Sequence, residues 1–248
     1  MLRFLCCCFF TEDSENERQP LLESKSSDAN EAGSARQTLP SHKAQSVSRT
    51  GRLLMRRVCV PDLDKRFSDM AETFNEQQEC YEAMVGHIDN LRHTYGCAHR
   101  DTLSFSECLG KIRNEHNASY RISLKMRGYD FYLSVVPVGL EDESEAKMLP
   151  PCLRTAQSEL RGTCERAKAT ISKGTTLQEL IGWLLRSRDQ MSNRVNEATP
   201  SYQERGRLNE NLEENMKEVR RAKDLSMKYR QQAGEVFVEA AQIAGNYL

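Results

Sequence analysis

No run of apolar residues in this chain approaches the roughly 20 that a bilayer-spanning helix needs. The apolar cluster Leu5 to Phe10 is too short for the core of a secretory signal, and Glu12 and Asp13 follow it closely. The chain also lacks a charge excess. Its 35 Lys and Arg nearly balance 36 Asp and Glu, a net charge of -1, which removes the global positive field expected of a nucleic-acid binder. Signatures of catalysis are missing too: there is no glycine-rich phosphate loop, no G-x-S-x-G and no H-E-x-x-H.

Histidine is scarce, at positions 42, 87, 93, 99 and 116. His93, Cys97 and His99 lie close together. A zinc site needs four ligands or an open catalytic shell, with spacing such as C-x2-C, and this loose cluster supplies neither. It reads as ordinary loop chemistry, so no metal, no cofactor and no enzyme activity are expected. Nine cysteines are present, but Cys6, Cys7 and Cys8 are consecutive and the other six are scattered without paired spacing. That pattern reads as free thiols in a reducing, cytosolic compartment.

What remains is a polar chain, 38% hydrophobic and 29% charged, with a mean hydropathy of -0.67. Such a balance suits long helices that each bury a single stripe. Leu63, Phe67, Met70, Phe74, Tyr81, Met84, Ile88, Leu91 and Tyr95 follow alternating steps of four and three. Gln77 is the only polar residue in that register. The spacing predicts a helix that enters at Pro61 and stops at Gly96.

A second helix is expected over 102–135, with Phe105, Leu109, Ile112 and His116 on one face. Its latter half, YDFYLSVV, has strand propensity, but it is read as helical because no other segment offers a partner strand. A third helix is expected from Pro151 to Gly174. A fourth would start at a capping box, Thr176 to Glu179, and break at Thr199-Pro200. A fifth runs from Ser201 toward the end of the chain. The fold class is therefore all-α: an elongated helical bundle over 59–248 of about five helices, with a long C-terminal helix.

The first 58 residues read differently. Residues 1–10 form an apolar tip. Residues 11–58 are rich in Ser, Glu, Gln and Asn, with few large apolar side chains before residue 50. Such a stretch is expected to be a disordered tether. Its reach is roughly 35 Å for about 40 flexible residues.

Cys6, Cys7 and Cys8 at the tip suit thioester acylation. One acyl chain holds a bilayer marginally and two hold it stably, at about 0.8 kcal/mol per buried methylene. Leu2, Phe4, Leu5, Phe9 and Phe10 would insert at the interface, and Arg3 would reach anionic headgroups. Leu2 in place of glycine excludes N-myristoylation. The rival reading packs the tip on the bundle, with its cysteines as small hydrophobes.

Eight residues separate Cys8 from Glu17, after which come three spacers, then Leu21 and Leu22. This is the form of an acidic dileucine sorting signal. Leu21-Leu22 would fill an apolar groove of a clathrin adaptor and Glu17 would meet its basic patch, while Pro20 keeps the segment extended. Tip cysteines followed by EDSENE and an acid-plus-dileucine resemble the N-terminal anchor of the late endosomal/lysosomal adaptor family that scaffolds the Ragulator complex. The likeness covers roughly the first 25 residues, through Cys6, Cys7, Cys8, Glu17, Leu21 and Leu22. It implies lipidation at the tip, sorting to late endosomes or lysosomes and a scaffolding role in growth signalling. The family begins Met-Gly and is myristoylated, whereas this chain begins Met-Leu.

One further basic stretch precedes the bundle. Arg49, Arg52, Arg56 and Arg57 flank Leu53, Leu54 and Met55. They form either a second membrane contact, each cation adding about 1 kcal/mol near an anionic leaflet, or a helical lead-in with solvated arginines. The charges of Lys217 to Arg230 read as a solvated helix face. Together these features predict a lipid-anchored adaptor on the cytoplasmic face of late endosomes or lysosomes, its bundle presented to protein partners. The alternatives are a helical protein acting directly on lipid and a coiled-coil structural protein.

Overall fold

The computed structural model describes residues 51–97, 103–139, 149–199 and 201–245. These belong to one compact unit that begins at Thr50. The unit is mostly helical. Three long helices form its frame: α1 (Pro61–Thr94), α3 (Pro151–Arg186) and α5 (Tyr202–Gly245). Two shorter ones, α2 (Ser106–His116) and α4 (Arg188–Ala198), sit at the connections, and β1 (Tyr120–Arg127) and β2 (Asp130–Pro137) make a hairpin between α2 and α3. The 44 residues of α5 span about 66 Å at 1.5 Å per residue.

The frame runs up, down and up. His87 Nδ1 meets Glu159 Oε2 at 2.7 Å and Glu76 pairs with Lys173, so α1 and α3 are antiparallel. Arg230 donates to Gln178 at 2.6 Å, and Arg188, just past the end of α3, meets Glu213 at 2.7 Å, so α3 and α5 are antiparallel as well. The α1 register reads as its periodicity predicts. Leu63, Phe67, Met70, Phe74, Met84, Ile88 and Leu91 are all buried, Pro61 opens the helix, and Gly96 follows its end at φ +56°. That left-handed conformation is one glycine adopts at little cost.

Two hydrophobic clusters fill the frame. One joins the first half of α1 to the second half of α3, α4 and the first half of α5. The other joins the opposite halves to α2 and the hairpin. Gln77 lies between them, fully buried, and its amide donates to the Thr170 carbonyl at 3.1 Å. Its Oε1 has no partner among the described residues. An unsatisfied buried acceptor costs stability, and a single polar layer within an apolar seam is a known way to fix helix register.

Two sequence expectations are corrected here. Residues 120–137 form an antiparallel hairpin and do not continue α2. The partner strand is the neighbouring stretch YRISLKMR, which alternates apolar and polar residues with period two. Its inner face sets Ile122 opposite Val135, Leu124 opposite Leu133 and Met126 opposite Phe131. Gly128, at φ +64°, makes the tight two-residue turn. Tyr120, Ile122, Leu124, Phe131 and Leu133 are buried against the helices, so the hairpin closes one end of the bundle.

The second correction concerns α3, which runs unbroken through Gly174 and Thr176. Thr170 and Thr175 turn their hydroxyls back onto the Arg166 and Ile171 carbonyls and stay within the helix. The break comes at Ser187, whose N–H bonds the Trp183 carbonyl before α4 begins. Gly174 is a packing residue rather than a stop. A Cβ there would lie 2.4 Å from both Gln77 Nε2 and Arg230 Cδ. Alanine is the better helix former by about 1 kcal/mol, yet Gly174→Ala is expected to destabilise the protein by about 1–3 kcal/mol through overpacking. A urea midpoint unchanged or raised in the variant would contradict this reading of the layer.

Candidate functional site

Residues 51–60 form an extended strap in the groove between α1 and α5, a departure from the tether expected to reach residue 58. Leu53, Val58 and Val60 turn inward and are buried in the core. An extended segment without a neighbouring strand leaves its backbone groups in need of partners. Two asparagines supply them. Asn75 of α1 accepts from the Leu53 N–H at 2.7 Å and donates to the Leu53 carbonyl at 3.1 Å. Asn215 of α5 does the same for Arg56, at 2.8 and 2.7 Å.

A carboxamide carries one acceptor and donors on a planar group, so each side chain stands in for the peptide of an adjacent strand. Asn215 is 1% exposed, which makes its clamp part of the core. Further bonds extend the attachment. Asp64 accepts from the Val58 N–H at 2.7 Å, Asn211 donates to the Arg57 carbonyl at 2.9 Å, and Arg221 donates to the Gly51 carbonyl at 2.9 Å. Cys59, at φ 58°, turns the chain from the strap into α1.

The outward side of the strap carries Arg52, Leu54, Arg56 and Arg57, all exposed. Leu54 stands 85% exposed among these cations. The field they create is tempered locally. Arg52 lies 3.7 Å from Glu79, and the open groove between strap and α1, about 570 Å³, is lined by Asp64, Asp69 and Glu72 as well as Lys65. The arginines are thus placed on the surface as predicted, but beside acids that weaken their pull on an anionic leaflet. Cys6, Cys7, Cys8, Glu17, Leu21, Leu22 and Arg49 lie outside the described residues, as does His99.

Cys97 is buried, with its thiol 3.8 Å from the Tyr95 carbonyl, and it hydrogen-bonds the thiol of Cys108. Among the described residues no three His, Cys, Asp or Glu side chains gather as a metal site would require. One pairing escaped the sequence reading. Cys152, in the first turn of α3, has its Sγ 3.6 Å from His116 Nε2 at the end of α2. Pro150-Pro151 before Cys152 was the available signal, since prolines open helices and set Cys152 in the first turn. Among the described residues no hydrogen bond orients the other ring nitrogen, the third group by which a Cys–His nucleophile is recognised.

The thiols differ sharply in access. Burial, with Cys97 bonded beside it, pushes the Cys108 thiol up to about 12. Burial also raises Cys164, whereas Cys59 is exposed. Among the described cysteines, alkylation of the native protein is expected to label Cys59 first and to leave Cys108 and Cys164 intact until unfolding. Labelling of Cys108 at the same rate as Cys59 would contradict the packing of α2. The folded Cys108 holds its proton more tightly than the unfolded thiol at 9.0. Its stabilising contribution is therefore present at neutral pH and is lost as pH rises toward 12.

Compared with protein families, curated proteins and solved structures, the chain matches none. No helix among the described residues is long and apolar enough to cross a membrane.

Proposed function

We propose that the chain is a lipid-anchored adaptor on the cytoplasmic face of late endosomal or lysosomal membranes. Acyl chains on Cys6, Cys7 and Cys8 hold the tip in the bilayer, and Glu17 with Leu21-Leu22 engages a clathrin adaptor that sorts the protein there. The helical body presents its outer faces to protein partners, in the manner of the Ragulator scaffold. Neither catalysis nor nucleic-acid binding is part of this role. The observation that carries the reading is the adjacency of a three-cysteine tip and an acid-plus-dileucine within 22 residues. The strap lends it support, because five side chains bond the backbone of residues 51–58 to the bundle. An anchor pulling on residue 50 would load the body directly.

A second reading rests on the exposed Leu54 among Arg52, Arg56 and Arg57, an arrangement suited to a lipid surface. Both are tested by imaging tagged full-length variants against lysosomal and plasma-membrane markers. Leu21→Ala with Leu22→Ala is expected to shift the protein to the plasma membrane while keeping it membrane-bound. Retention of that variant on lysosomes would remove the sorting claim. Changing Arg52, Arg56 and Arg57 to Glu is expected to leave the localisation unchanged. Release to the cytosol by this charge reversal would favour the second reading.

A further inference from the structure

A second groove lies between α3 and α5, away from the strap. Gln178, Gly182 and Arg186 follow one another at i, i+4 and i+8 along α3, on the same side as Ile181 and Leu185. Lys223, Ser226, Met227 and Arg230 line it from α5. The helices are antiparallel here, and Arg230 donates to Gln178 at 2.6 Å. That bond fixes Arg230 at one end of the groove and brings Lys223 toward the Arg186 end. Eight residues of helix put the two ends about 12 Å apart.

The charges are all of one sign. Among the described residues no Asp or Glu lines the groove and no ion pair engages Arg186, Lys223 or Arg230, in contrast to Arg188, two residues beyond Arg186, which is held by Glu213. The half-open groove holds about 440 Å³, within the roughly 300–1,000 Å³ of small-molecule sites. Gly182 keeps the floor open, with the Arg186 guanidinium 3.2 Å from where a Cβ would stand. Ser226 is 5% exposed and its hydroxyl bonds no other described residue. It therefore offers an unused donor and acceptor inside the groove. Ile181, Leu185 and the half-exposed Met227 add apolar wall.

We propose that this groove binds a small polyol carrying two or more phosphate monoesters. One phosphate would sit between Arg186 and Lys223 and another at Arg230, charge-assisted at both ends. Ser226 and Gln178 would bond the hydroxyls between them. The chemistry is that of a phosphorylated inositol, either free or as the headgroup of a lipid whose glycerol would meet Leu185 and Met227. This goes beyond the adaptor reading and does not depend on it.

The test is calorimetric titration of the full-length, unacylated chain with soluble inositol trisphosphate, with inorganic phosphate as baseline. In parallel, flotation uses phosphatidylcholine vesicles doped with a bisphosphorylated phosphatidylinositol. Arg186→Glu with Lys223→Glu is the test variant. Both side chains are exposed and unpaired, so the fold should persist, and circular dichroism would check it. Arg121→Glu with Lys125→Glu, exposed on β1 and outside the groove, is the control.

One-to-one binding of inositol trisphosphate, weakened about a hundredfold by the groove variant and unchanged by the control, supports the site. Vesicle flotation with the same pattern but no response to the soluble compound assigns the site to the lipid form. Absence of binding in both arms overturns the proposal. So does equal binding by the groove variant, loss of binding in the hairpin control, or an acidic peptide competing as well as the inositol phosphate.

Discussion

Replacing Cys6, Cys7 and Cys8 together with Ser is expected to move the protein almost entirely from membranes to the soluble fraction. Each long acyl chain contributes about 0.8 kcal/mol for every methylene it buries, so removing all three thiols abolishes an attachment that no described helix can replace. Single substitutions should matter far less. With three adjacent thiols, two chains remain available and two suffice for stable anchoring. Cell fractionation gives the direct measure, with hydroxylamine to cleave thioesters in the intact protein. A triple variant that still sediments with membranes at more than about a tenth of the native level would show that something else holds the protein there. The exposed Leu54 and its arginines would then be the first suspects.

The second large effect concerns the asparagine clamps. Asn75→Ala with Asn215→Ala removes four hydrogen bonds to the strap backbone. Each leaves a peptide N–H and C=O partly buried without partners, at about 1–3 kcal/mol per group left unsatisfied. Because water re-solvates some of them once the strap lifts, the double variant is expected to lose about 3–5 kcal/mol in total. Asn215→Ala should account for the greater part, since Asn215 is buried to 1%. Asn211, half-buried and making a single bond to the Arg57 carbonyl, provides the mild control.

Trypsin gives a second, independent readout. Arg52, Arg56 and Arg57 offer exposed side chains on a backbone held against the bundle, and a protease needs that backbone free. Cleavage at these arginines is expected to accelerate about tenfold or more in the double variant. Unchanged urea midpoints together with unchanged cleavage would mean that the strap is held by Leu53, Val58 and Val60 alone.

How much of this was legible follows from what each element depends on. The α1 helix could be read because its stripe of Leu63, Phe67, Met70 and Phe74 and its ends at Pro61 and Gly96 are all local signals. The mostly helical class and the long last helix were legible for the same reason. The hairpin was missed although its pattern was present. Tyr120, Ile122, Leu124 and Met126 alternate with polar residues, and only the demand for a distant partner strand hid the one next door.

Gly174 and Thr176 misled through local chemistry that packing overrides. Each is a stop or start signal in isolation, and the approach of Gln77 and Arg230 gives the glycine a different purpose. The strap was not legible at all. Its backbone partners come from positions 75 and 215, far away in sequence, and a carboxamide that pairs with a peptide looks like any other polar residue on a helix. The α3–α5 groove likewise exists only once antiparallel packing sets Gln178 beside Arg230. The basic character of residues 52–57 could be read from sequence, but not their extended path, nor the acids of α1 at positions 64, 69 and 72 that the fold sets beside them.

The central claim is that the address lies in the first 50 residues and that the helical body is what is delivered. Grafting residues 1–50 onto an inert fluorescent protein tests it most directly, alongside residues 51–248 carrying the same tag. The account predicts that the graft reaches lysosomes while the body alone stays off membranes. A diffuse graft, or a body that finds lysosomes without its N-terminal segment, would contradict it.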